Sequence, residues 1–194
     1  MCIRDRAAVR FARDHDLPVA VMATGHQASV PVDAAVLITT RRMSDVRIDP
    51  LLATATVGAG VSWQQVVDAA TPYGLAPLNG SSPLVGVVGY TLGGGLSPML
   101  GRAFGWAADA LRSMTVVTAD GELHEVSAGA RAGLDADLFW GLPGAKSNLG
   151  VVTSMTFGLF PVTRLHAGGL FFAGRDLAPV LTAYAALTLS LIHI

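Results

Sequence analysis

Charge is scarce in this 194-residue chain: Asp, Glu, Lys and Arg make up 14% of it against 52% hydrophobic residues, and the formal net charge is -1. There is no Lys/Arg cluster interleaved with aromatics, so the electrostatic footprint of a nucleic-acid binder is missing and no such partner is expected. An anionic ligand must then be held mainly by backbone N–H groups. A single cysteine, Cys2, excludes an internal disulfide framework and a cysteine-rich zinc site, and no metal is expected. The opening MCIRDRAAVR lacks the apolar stretch of a secretory leader; with the true N-terminus expected to be missing, the location is left unknown and a cytoplasmic one is favoured. The one membrane candidate, residues 177–194, is interrupted by Pro179, Thr182, Thr188, Ser190 and His193, while Leu177, Val180, Leu181, Tyr184 and Leu187 keep helical spacing. That pattern suits an amphipathic helix, not a span, and no membrane partner is expected. So low a charge is unusual for a free-standing domain, and part of the apolar surface is expected to face a large cofactor or polypeptide beyond this stretch. The ends MCIRDR and LSLIHI continue neither adjoining pattern. Residues 1–6 and 189–194 are read as non-native, and the chain as a piece of a longer protein.

What is present reads as alternating helices and hairpins. Residues 7–16 put Ala8, Phe11, Ala12 and His15 on one helical face before a Leu-Pro stop, and PVAVMA and AAVLITT follow as short buried strands around a Gly-His turn. Residues 46–60 form a hairpin about Asp49-Pro50, then Ser62 with Gln65 predicts a capping box opening a helix with Trp63, Val66, Val67 and Ala70 on one face, ended by Gly74. Residues 75–105 turn rich in Gly, Pro and Ser without the periodicity of a long strand. A second hairpin spans 113–127, Asp137 to Trp140 starts a short helix, GLPGAKSNLG is a loop, and residues 151–162 alternate as a strand. HAGGLFFAG and DLAPVLTAYAAL predict one more strand and helix. Nothing repeats with the period of a solenoid, and adjacent hairpins beside helices predict an α+β class.

Three glycine-containing loops are the chemical feature: residues 23–28, 80–95 and 144–150. Glycine lets backbone N–H groups converge on phosphate oxygens without a lysine, although glycine also serves turns for steric reasons alone. No Gly-Lys-Ser/Thr phosphate loop occurs. Gly86 and Gly89 follow LNGSSP and not a strand, so a Rossmann fingerprint is not satisfied either. On spacing alone His26 is a turn residue, because no carboxylate or cysteine nearby makes it a triad member or metal ligand. His15 and His124 read as helix-face and hairpin residues, and Asp109 as either a cap or a ribose contact.

The order PVAVMATGH, GVVGYTLGGGLSPMLGRAFGWAADALRSMTVVTADGEL, DADLFWGLPGAKSNLGVVTSMTFGLFPV resembles the FAD-binding domain of the vanillyl-alcohol oxidase and p-cresol methylhydroxylase (PCMH-type) superfamily, nearest to its berberine-bridge-enzyme-like members. The resemblance covers about residues 7–165 and implies a PCMH-type fold of two α+β subdomains truncated at both ends: 7–45, 46–165, and 166–188 as the start of a substrate domain. It implies FAD as cofactor, a small-molecule substrate, and a missing C-terminal substrate domain of the same chain that carries the catalytic base, so no catalytic residue is named. The family's Gly-Gly-His falls on Thr24, Gly25 and His26, flanked by Ala23, Gln27 and Ala28, and in many members this histidine is bonded to the flavin 8α-methyl. The second motif falls on Gly80, Ser81, Ser82, Val85, Gly86, Gly89, Tyr90, Gly93 and Gly94. Ser82 stands where doubly attached members carry cysteine, which excludes a thioether, and Tyr90 stands where many have histidine or leucine. Asn148, Gly150, Val151 and Val152 match the third motif, whose backbone approaches the flavin ring, with Lys146 and Ser147 where relatives often have glycines. Asp109 matches a position near the cofactor.

Overall fold

The computed structural model describes residues 2–26, 33–146, 148–166 and 168–190. Its elements are α1 (Cys2–Asp14), β1 (Val19–Met22), β2 (Val36–Thr39), β3 (Val46–Asp49), β4 (Thr54–Gly58), α2 (Trp63–Ala70), α3 (Val87–Leu92), α4 (Gly101–Phe104), β5 (Leu111–Val117), β6 (Leu123–Ser127), α5 (Leu134–Ala145), β7 (Val151–Gly158) and α6 (Leu177–Ser190). They divide between two compact units, Met1–Arg164 and Leu165–Ile194.

In the first unit β1 and β2 pair in parallel, while the other five strands form an antiparallel sheet in the order β3-β4-β7-β5-β6. The last strand in sequence thus joins two local hairpins by entering between them. Its alternation explains why it can: Met155 and Phe157 point into a core shared with Trp63, Val66, Val87 and Leu142 of α2, α3 and α5. The opposite sheet face is a row of polar side chains across the strands, Arg47 followed by the small Thr56, Thr156, Ser113 and Ser127, with the two threonine hydroxyls 2.9 Å apart.

α2 begins as expected, its Ser62 N–H donating to Gln65 Oε1 at 2.9 Å, but it stops at Ala70 and a 3-10 turn, Thr71–Tyr73, carries the chain to the left-handed Gly74. The small and large sheets are stitched where residues 40–43 cross 58–60. The Thr40 hydroxyl donates to the Ala59 carbonyl at 3.1 Å, and Gly60 N–H donates to Met43 O at 2.9 Å. A Cβ on Gly58 would fall 2.5 Å from the Met43 carbonyl oxygen, so only glycine permits this crossing.

Four expectations are corrected. The first helix begins at Cys2 and buries Asp5, Val9 and Ala12, with Val9 against Ile38, Val117 and Val151. Phe11 remains exposed, stacked on His15 at 4.1 Å. The extra turn adds Arg6 to Arg10 and Arg13 over the β5–β6 turn, where Arg6 Nε donates to Gly121 O at 3.0 Å and Arg10 pairs with Glu122 at 2.6 Å; those bonds set the helix rotation. Residues 75–105, read as irregular, contain α3 and α4. α5 starts at Leu134 and takes in part of the expected third loop, broken by Pro143 and by Gly144 at φ +113°. In the second unit, no strand forms among the described residues of 166–174; a 3-10 turn, Gly174–Asp176, leads into α6. An extended segment needs a neighbouring ladder to satisfy its N–H and C=O groups, and among the described residues of this unit there is no strand to supply one.

Candidate cofactor site

α3 is six residues long and holds the site together. Val87, Val88, Thr91 and Leu92 are buried, while Gly89 and Gly93 are exposed. Gly89 lies inside the helix, between Gly86 as its extended N-cap and Gly93 as its C-cap; the Thr24 side chain faces Gly86 and the Lys146 stem faces Gly93, which leaves Gly89 as the open point between them. A Cβ built on Gly89 would meet nothing within 4 Å. The helix is anchored from behind, because residues 61–64 bond the segment leading into it: Trp63 N–H to Val85 O at 3.0 Å, Gln64 N–H to Pro83 O at 2.9 Å, and Val87 N–H to Val61 O at 2.9 Å.

The first loop arrives at the N-terminal end of this helix. Thr24 lies 3.5 Å from where a Gly86 Cβ would stand, and Gly25 takes φ +75°, which favours glycine. Arg41 Nε steadies the loop by donating to the Ala23 carbonyl at 3.1 Å. His26 follows, exposed at the end of the loop and without a hydrogen bond among the described residues. Gln27 and Ala28 lie outside the described residues, as does Ser147.

The third loop arrives at the other end. The Lys146 stem lies 3.3 Å from a Cβ built on Gly93, and Asn148 N–H donates to Ala145 O at 3.2 Å. Gly150 has φ +155°, and a Cβ there would stand 2.7 Å from the Val117 carbonyl oxygen, so the loop can enter β7 only through glycine. Val151 and Val152 place their side chains in the core and pair with Val117 and Val116 of β5.

Within the second loop Gly80 and Gly95 wall the Tyr90 ring: a Cβ on either would lie 2.8 Å or 2.6 Å from a ring carbon. Ser81 is exposed and Ser82 half-buried. Gly94 and Gly95 accept from Ala108 and Ala107 at 3.0 Å and 2.8 Å, which ties the end of this loop to the turn before β5. Asp109 is on that turn, yet its carboxylate caps it, Oδ2 accepting from Trp106 N–H at 2.8 Å. It also lines a cavity of about 330 Å³ with Leu52, Phe104, Arg112 and Phe160, near the β3–β4 turn and so at the far end of the sheet from Gly150. The sequence reading left out Gly58, Gly60, Gly95 and Arg41. For Gly95 the run of three glycines was a signal; for the others only tertiary contact identifies them.

A small parallel pair beside a five-stranded antiparallel sheet, with glycine loops gathered on one short helix, is the architecture of PCMH-type flavoproteins. Carbohydrate oxidase from Microdochium nivale superposes with a TM-score of 0.72 at 32% identity, over 81% of this chain and 33% of that one. (R)-6-hydroxynicotine oxidase of Paenarthrobacter nicotinovorans is 32% identical over 187 residues, 95% of this chain and 39% of that protein. An FAD-linked oxidoreductase of Aspergillus ruber is 34% identical over 167 residues, 85% of this chain and 33% of that protein. A family profile described as FAD binding domain matches residues 6–127, and the chain belongs to this family, with FAD as its cofactor. It spans about a third of the length of these relatives.

The residues present fit that cofactor. A pyrophosphate needs converging donors, and the open helical Gly89 beside the left-handed Gly25 loop lets backbone amides approach it in a chain with few cations. Among the described residues no cluster could hold a metal ion, and no helix is long and apolar enough to cross a membrane.

Proposed function

We propose that the chain is the FAD-binding part of an FAD-dependent oxidoreductase, which takes hydride from a small organic substrate (an alcohol, amine or sugar) and delivers the electrons to oxygen or another acceptor. The supporting observation is that the first and third loops reach the two ends of α3, Thr24 against Gly86 and the Lys146 stem against Gly93, with Gly89 open between them. When bound, FAD supplies the hydride chemistry, and the protein supplies binding and orientation. Thr24, Gly25 and the backbone from Gly86 to Gly89 would hold the phosphates, and Asn148 to Val152 would back the ring. Residues 7–45 and 46–165 serve as the two halves of this cradle. Residues 166–188 open the substrate domain, whose remainder brings the catalytic base.

His26 is read as the single covalent anchor. Its ring nitrogen would bond to the 8α-methyl carbon, one proton leaving that carbon and one the imidazole, while the electron pair released goes through the flavin to oxygen or another acceptor. Support comes from its position at the end of the loop with no competing hydrogen bond among the described residues, and from Ser82, which offers no sulfur. The test uses the full-length holoprotein after acid denaturation and electrophoresis. Flavin fluorescence should travel with the band and be lost in His26→Ala. Flavin released free from the parent would leave a non-covalent FAD reductase of the same fold, and failure of refolded protein to bind FAD would overturn the whole reading.

A further inference from the structure

The first loop leaves the carboxyl end of β1, and Arg41 stands just past the carboxyl end of β2, its parallel partner. Loops at the carboxyl ends of parallel strands are where such sheets hold their ligands. The backbone of Arg41 is fixed there by the segment crossing it, since a Cβ on Gly60 would lie 3.0 Å from Arg41 Cα. From that point the side chain reaches across to the first loop, and its Nε donates to the Ala23 carbonyl at 3.1 Å. This bond uses one of the five guanidinium N–H groups. The residue is exposed, and neither terminal nitrogen has a partner among the described residues. Arg6, Arg10 and Arg13 differ, each being bonded to the β5–β6 turn. Arg41 is thus a cation clamped to a loop by one nitrogen, with its planar fork of donors unpaired. Such a fork matches the oxygens of a phosphate group. The clamp is on Ala23, next to Thr24 and to Gly25 with its left-handed φ of +75°. Each terminal nitrogen is two bonds from Nε, so the fork is within reach of a group held at Thr24 and Gly25.

Resting on the reading that the first loop holds the phosphates of FAD, we propose that Arg41 is a cofactor contact whose terminal nitrogens donate to the FAD diphosphate. It adds a fixed side-chain cation to a cradle otherwise made of backbone amides.

Arg41→Gln in the full-length protein tests this, measured in a His26→Ala background where binding is reversible. At low salt the Kd for FAD should rise roughly tenfold, the loss of one charge-assisted contact. ADP carries the diphosphate without the flavin, so its Kd should rise by the same factor. Both losses should shrink in about 1 M salt, where exposed charges are screened. Arg41→Lys keeps the charge without the fork, and should show a smaller loss with the parent's salt dependence. An unchanged FAD Kd in Arg41→Gln would overturn the proposal. So would a loss for FAD that ADP does not share, which would put Arg41 at the flavin half. A loss of equal size at low and high salt would also overturn it, marking Arg41 as a clamp on the first loop alone. Failure of the protein with Arg41 intact to bind FAD at all would instead sink the reading on which the proposal rests.

Discussion

Two glycines of the second loop should respond to alanine in opposite ways. Gly95 has φ +73°, and an added Cβ would lie 2.6 Å from Tyr90 Cε1 and 2.7 Å from the Ala107 methyl. Gly95→Ala therefore adds backbone strain to a steric overlap that a packed ring cannot relieve. It is expected to cost about 2–3 kcal/mol in a denaturant titration. At Gly89 nothing stands within 4 Å and the residue is helical. Gly89→Ala is expected to stabilise the cofactor-free protein by about 0.5–1 kcal/mol while weakening FAD binding by roughly tenfold, about 1.4 kcal/mol, because a methyl group then occupies the surface proposed for the cofactor. FAD binding as tight as the parent's would remove Gly89 from the site. The sequence makes both positions visible as glycines in a loop. It cannot tell them apart, because what fills the space beside Gly95 is a ring five residues earlier whose direction depends on the fold of α3.

At the scale of elements, legibility followed the range of the stabilising contacts. Both hairpins were readable because each strand's partner is adjacent in sequence, and β7 was readable as a strand from its alternation. Its place between β4 and β5 was not, since pairing over about a hundred residues leaves no local mark. α3 was missed because six residues with a central glycine have poor intrinsic helicity; bonds from residues 61–64 and the core beneath it hold it in place. The β5–β6 turn is local enough to carry a pH prediction. Asp120 Oδ1 accepts from the Thr118 hydroxyl at 2.6 Å and from Glu122 N–H at 3.0 Å, and these bonds hold its carboxyl below its ordinary value of 3.8. A carboxyl depressed by folding stabilises above the unfolded pKa, and that stabilisation is lost as pH falls through the folded one. Asp120→Asn imitates the protonated form. The difference in unfolding temperature between wild type and variant should thus be present at neutral pH and close on acidification below about pH 4; a difference constant from neutral to strongly acid pH would contradict the assignment.

For the molecule as a whole, the balance of charge and apolar surface decides its behaviour in solution. A formal charge of -1 gives weak mutual repulsion. Against it, Leu51, Trp140, Leu170 and Phe171 are 95%, 85%, 86% and 97% exposed, and along α6 Leu177, Leu181, Tyr184 and Leu187 are each more than half exposed. Surfaces of this kind are usually covered by other polypeptide, and the chain spans about a third of the relatives it matches. The 194-residue chain by itself is therefore expected to self-associate, seen as a scattering radius that grows with concentration. The proposed FAD site is built from residues of the first unit, and Leu170 and Phe171 are not among them, so saturating FAD should raise the unfolding temperature without dispersing the assemblies. Leu170→Asp with Phe171→Asp should disperse them without changing FAD affinity, because those positions lie in a different compact unit from the three loops. A monodisperse monomer of the unmodified chain at high concentration would show that its exposed apolar residues do not associate.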